Sequence, residues 1–248
     1  MHDPRATTLL ARVRPFIQQS GRVYTETRLD SEMFKAVGDA LRTPGKIAVE
    51  NELDSAHLAK LKAQLVARKI DPGMTGTLAS WATNVVLMYA PDTRPTHIID
   101  MQIATEAVAD KKQYAGLESV QTALAVFQGV PEPRQILMLK DLLDHPRGPD
   151  TQEPLAARYF TDTLPAGFLQ QLTDYPSTLP PQDLAWFKDY YYRVLLDQRT
   201  AGFYRGLDQP LQHGGCFVAV GIGHLAGEHG LIALLRHAGY QVTPQSLN

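Results

Sequence analysis

Glu26, Glu118 and His224 carry side chains able to bind a cation or move a proton, and the surrounding sequence puts each at the end of a strand. Histidine and carboxylates are the ligands a hydrolytic divalent metal takes when thiolates are absent. An open coordination position then lets the metal lower the pKa of a bound water. Taken alone, each residue has a more ordinary reading. A lone histidine in a glycine-rich turn is commonly structural, and a glutamate on a strand is commonly an edge or cross-strand charge. Chemistry requires convergence, and parallel strands supply it by bringing their carboxyl ends to the edge where ligands of open α/β sheets gather.

The elements that would position these residues follow from apolar periodicity. Phe217–Val220 is β-branched and aromatic enough for a strand, and Leu231, Ile232, Leu234, Leu235 and Ala238 recur at helical spacing before Gly239 stops the helix. His224 therefore sits in a strand-to-helix turn, flanked by Gly221, Gly223 and Gly227. Glycine permits positive φ and close backbone approach, so the chain is expected to reverse there with the imidazole pointing out of the sheet edge. Glu26 lies in the alternating stretch Arg22–Leu29, and Glu118 ends the short strand Gln113–Glu118. Leu9, Leu10, Val13 and Phe16 mark a first helix over Ala6–Gln19, and Asp30 or Ser31 caps the next. Further helices are expected over Asp54–Lys69, Leu78–Tyr89, Ile98–Ala109, Val120–Phe127, Arg134–Leu143 and, after the Pro-rich loop 145–154, over 155–175 and from Pro181 to about Leu207. This order of elements predicts a single α/β domain over residues 1–248 with a small, mostly parallel sheet and flanking helices. It carries a mainly helical insertion at about 54–112 and helical segments at about 155–207.

Composition narrows the partners. The chain has 248 residues, 44% hydrophobic and 20% charged, which suits a packed globular protein rather than a disordered or fibrous one. A formal net charge of −2 without long runs of either sign gives no electrostatic footprint for nucleic acid. No stretch approaches the roughly 18 to 20 apolar residues of a membrane span. Cys216 is the single cysteine, so an intrachain disulfide and thiolate-rich zinc sites are excluded.

The stretch Val218-Ala219-Val220-Gly221-Ile222-Gly223-His224-Leu225, continued by Gly227, Gly230-Leu231, Leu234-Leu235 and Gly239-Tyr240, resembles the C-terminal GxxH motif of the TraB/PrgY/GumN family, which includes the Tiki proteins. Val23-Tyr24-Thr25-Glu26 resembles that family's glutamate-bearing strand. Ala115-Gly116-Leu117-Glu118-Ser119 resembles its GLE block, with Asp100 at the preceding helix start. Leu195-Leu196-Asp197-Gln198-Arg199 resembles its LLxxRN helix, with Thr200 in place of the asparagine. The likeness spans nearly the whole chain. It departs at Met1-His2-Asp3-Pro4-Arg5, where His2 would be the histidine of the first GxxH but the glycine and the strand before it are missing.

The resemblance implies an erythromycin-esterase/ChaN-like sheet and a metal-dependent hydrolase, in particular a peptidase. His2, Glu26 and His224 would hold a divalent cation (manganese, cobalt or zinc) or its attacking water, and Glu118 or Arg199 would assist. On a helix beside a carboxylate-rich pocket, the Arg199 guanidinium can pair with Glu26 or Glu118, or hold a substrate oxygen. A second reading is a regulatory protein that binds a peptide or small ligand in the same pocket without turnover, and a third is a metal-free hydrolase similar to the erythromycin esterases. The chain as given reads as soluble, with export open if a signal segment lies upstream. His57, His97, His145, His213, His229 and His237 show no pairing at metal spacing and are expected to be structural or exposed. Of Tyr190, Tyr191 and Tyr192, at least one must face away from the core, because consecutive residues cannot share a helix face.

Overall fold

The computed structural model describes residues 4–41, 48–89, 91, 98–146 and 177–245. Within them run α1 (Pro4–Gln19), β1 (Arg22–Thr27), α2 (Ser31–Leu41), α3 (Ser55–Ala67), α4 (Ser80–Met88), α5 (Ile99–Ala109), β2 (Gln113–Glu118), α6 (Val120–Gln128) and α7 (Glu132–Asp144). Then come α8 (Pro181–Tyr190), a π-helical segment (Tyr191–Gln198), α9 (Arg199–His213), β3 (Cys216–Ala219), a 3₁₀ turn (Ile222–His224) and α10 (Leu231–His237). His2, His97 and the expected helix over 155–175 lie outside the described residues. Among the described residues, no helix is long and apolar enough to cross a membrane. The chain is α/β, and it divides into two compact units.

One unit comprises His2–Met33, Arg94–Ala123 and Lys188–Asn248 and contains the sheet. Three parallel strands run in the order β2-β1-β3, with β1 central and Thr27 paired to Glu118 and Thr25 to Ala219. All three carboxyl ends therefore share one edge. Val23 of β1 is fully buried among Leu10 and Ile17 of α1, Ile103, Ala104 and Ala107 of α5, and Tyr114 of β2. Each such aliphatic side chain contributes about 1.5–3 kcal/mol by leaving water. β1 stops at Thr27, two residues before the alternation of its sequence ends, because the Leu29 N–H is donated to the Tyr114 hydroxyl (2.9 Å) instead of the ladder. That hydroxyl in turn donates to Thr25 Oγ1 (2.8 Å), whose own proton goes to the Thr27 carbonyl. Asp30 then caps α2 by accepting from Met33 N (3.0 Å).

At Gly116 the backbone approach is closer than a side chain allows, since a Cβ would stand 2.3 Å from Arg28 N. The helix expected to end near Leu207 runs on to His213 through Pro210, and Gly214 terminates it with φ 68°. α9 packs along β2 and against α10. Tyr190, Tyr191 and Tyr192 are all half-buried where the α-helix gives way to the π segment.

The other unit comprises Phe34–Thr93 and Leu124–Phe187. Its core joins Leu61 and Leu65 of α3, Leu87 of α4, and Leu139, Leu142 and Leu143 of α7 with Val49 and Leu78. Asp54 starts α3 as its N-cap, accepting from Ala56 N and His57 N. Its second oxygen pairs with His57 Nδ1 at 2.6 Å, and these contacts hold the Asp54 carboxyl down at about 2. Lys60 pairs with Asp144 across α3 and α7. His57 is thus a helix-end structural group, as are His145 and His213, which face the carbonyls four residues before them.

Candidate functional site

The shared carboxyl edge of the sheet brings Glu26, Glu118, Arg199 and His224 into contact. Glu26 is the next-to-last residue of β1, Glu118 is the last of β2, Arg199 is the first of α9, and His224 closes the 3₁₀ turn after β3. Arg199 is the hub. Its Nε donates to Glu118 Oε1 (3.1 Å) and Oε2 (3.2 Å), and its Nη2 donates to Glu118 Oε1 (2.5 Å) and Glu26 Oε2 (2.8 Å). Nη1 faces His224 Nε2 at 3.2 Å. Glu26 Oε1 accepts from Gly221 N (2.7 Å) and stands 3.8 Å from His224 Nε2.

Exposure separates the roles. The Glu118 side chain is 6% exposed and Arg199 12%, whereas Glu26 is 29% exposed. Glu118 therefore anchors the guanidinium from inside, and Glu26 is the carboxylate that solvent reaches. Burial works against the Arg199 charge, but hydrogen bonds and charge from Glu118 and Glu26 outweigh it and hold its pKa above the ordinary arginine range.

His224 is buried, at 4% exposure. The sequence led us to expect an imidazole turned out of the sheet edge; instead the 3₁₀ turn folds it inward against α9. Its Nδ1 lies 2.8 Å from Thr200 Oγ1, and its ring meets Phe203 edge-on at 4.8 Å between centroids. Burial is the main reason its pKa falls to about 4; Glu26 opposes the shift, and the Arg199 charge adds to it. The ring is neutral near pH 7. The neighbouring glycines also act differently from expectation. Gly221 has φ −56°, and its role is room, because a Cβ there would sit 3.0 Å from Glu26 Oε1. Gly227, with φ 85°, is the one in this turn that uses the left-handed region.

Three further residues belong to the constellation. Phe203 shares a face of α9 with Arg199 four residues before it, a spacing that was readable in advance had Arg199 been taken as a fixed point, while Thr200, the next residue, lies round the helix from it. Asp100, in the first turn of α5, is pushed up to about 6 by burial first and then by the charge of Glu26. The family likeness marked Asp100 only as a helix start.

As a metal centre, the described residues offer the Glu26 and Glu118 carboxylates and the His224 imidazole, and Arg199 already engages all three. His224 Nε2 already faces a guanidinium N–H, and that guanidinium lies where a cation would collect the two carboxylates. Among the described residues, no group of three or more His, Cys, Asp or Glu side chains is arranged to hold a metal ion. In this arrangement the described residues do not fit a bound divalent cation.

A search of curated proteins and of solved structures returned no match. A family model, described as the TraB/PrgY/gumN family, matches residues 1–244. With the match covering all but the last few positions, the chain belongs to the TraB/PrgY/gumN family.

Proposed function

We propose that this protein is a hydrolase of peptide or small-molecule substrates, working at the carboxyl edge of its sheet with Glu26 as the general base. The observation that carries this reading is a reachable carboxylate held in one orientation by the Gly221 N–H and by Arg199, beside a neutral imidazole. Glu26 takes a proton from water as the oxygen attacks the substrate carbonyl, and it returns the proton to the leaving amine or alcohol. Arg199 is the fixed positive charge beside the developing oxyanion. Glu118 keeps the guanidinium in place, and His224 accepts from it.

The metal-dependent peptidase form of this reading, with manganese, cobalt or zinc at His2, Glu26 and His224, rests on the family likeness. A peptide-library cleavage assay with and without added metal and chelator tests both forms. Cleavage lost by roughly 10²-fold or more in Glu26→Gln is the expected result. Activity abolished by chelation supports the metal-dependent form, and activity indifferent to it supports a metal-free hydrolase. Absence of cleavage under every condition overturns the proposal.

A ligand-binding protein without turnover is the second reading. It is favoured by the closure of the Arg199 network, in which the carboxylates of Glu26 and Glu118 already engage the guanidinium. A ligand that raises the melting temperature equally in wild type and Glu26→Gln supports it.

A further inference from the structure

We infer that Thr200 is a positioning residue that fixes His224 as the neutral tautomer carrying its proton on Nδ1, so that Nε2 presents a lone pair to Arg199 and the crevice. The Thr200 hydroxyl has one proton, and it is donated to the Leu196 carbonyl at 2.8 Å. Thr200 Oγ1 can then only accept from the ring nitrogen 2.8 Å away, which places a proton on Nδ1. Arg199 Nη1 carries donors only, so Nε2, at 3.2 Å, must accept. A ring protonated on Nε2, or on both nitrogens, would set two N–H groups against each other at that distance.

The local fold keeps this arrangement rigid. Thr200 and Phe203 are buried at 1% and 0% exposure, and Phe203 closes one side of the imidazole while Arg199 lies 5.3 Å from the centre of the same phenyl ring. A single turn of α9 thus grips His224 at both nitrogens and at its ring. The π segment Tyr191–Gln198 immediately precedes that turn, and its Leu196 carbonyl is the far end of the proton chain. A wider helical turn in front of a functional turn is a recurrent use of π geometry.

The consequence is a division of labour. His224 is an acceptor that aims the guanidinium, which leaves Glu26 as the group free to take a proton. That consequence rests on the hydrolase reading, whereas the tautomer does not.

Nitrogen-15 NMR of histidine-labelled protein tests the inference, with His224→Ala identifying the resonances. In the wild type we expect one protonated nitrogen, Nδ1, and a bare Nε2. Thr200→Val removes the acceptor at nearly constant volume, and loss of the single-tautomer signature is expected. Thr200→Ser restores the hydroxyl and the wild-type pattern. An Nε2-protonated ring in the wild type, or an unchanged pattern in Thr200→Val, overturns the inference. If Thr200→Val does not fold, the wild-type and Thr200→Ser spectra still decide it. Because the readout needs no turnover, a failure here is distinct from a failure to find a substrate.

Discussion

A guanidinium buried between two carboxylates is held more by what its loss would expose than by net stabilisation. Removing one partner of such a group typically costs about 3–5 kcal/mol, because the remaining charge stays buried and unpaired. Glu118→Gln is therefore expected to lower unfolding stability by about 3 kcal/mol in a urea titration, far more than an exposed ion pair would. A loss below about 1 kcal/mol would show that Glu26 alone suffices to hold Arg199. Asp100 and His224 give opposite pH signatures. The folded pKa of Asp100 is raised to about 6, so its stability contribution is complete below the ordinary carboxylate range and is lost as pH rises through about 6. Asp100→Asn should match wild type near pH 4 and exceed it by about 2–3 kcal/mol at pH 8. An equal difference at both pH values would sink that assignment. His224 is lowered to about 4, so its contribution is present above its unfolded pKa and fades as pH falls toward about 4. Acid unfolding of wild type should accordingly begin earlier than that of His224→Gln, read by circular dichroism between pH 6.5 and 4.

The elements are arranged so that three strand ends and one helix start coincide. β1 must lie at the centre for this, and its close pairing with β2 depends on Gly116. Gly116→Ala would force a Cβ to within 2.3 Å of the Arg28 backbone nitrogen, which has no flexible side chain to yield. The expected cost is on the order of 2–3 kcal/mol by overpacking. Backbone displacement at Arg28 should also disturb Glu26, two residues earlier. Thermal unfolding checks the first effect, and chemical-shift changes at Glu26 check the second. In contrast, Gly221→Ala keeps an ordinary φ and meets side-chain atoms rather than backbone, Glu26 Oε1 at 3.0 Å and His224 at 3.8 Å, so a loss under about 1 kcal/mol is expected. Position-specific intolerance of this kind distinguishes glycines that make room for the backbone from those that merely neighbour a side chain.

At the scale of the whole molecule, the described residues form three apolar clusters: one around the sheet, one around α3, α4 and α7, and a smaller one around Trp81 of α4. Leu139 is fully buried in the second, and Leu139→Ala should cost about 2–5 kcal/mol in chemical denaturation. A smaller loss would mean that this cluster relaxes around the cavity.

Much of this organisation was legible beforehand. Apolar spacing located the described helices and the three strands to within a few residues, because burial of one face imposes the period on the sequence itself. The glutamates at the ends of β1 and β2, and the GxxH histidine, were visible as chemistry placed at a sheet edge. Other features were not: the inward turn of His224, the grip of Thr200 and Phe203 on its ring, and the raised pKa of Asp100 depend on residues from β1, α5, α9 and the turn after β3 meeting in three dimensions. Periodicity is a property of one segment and its solvent, so one chain suffices to read it. The protonation state and partners of a side chain are set by groups distant in sequence, through burial and distances that only packing decides.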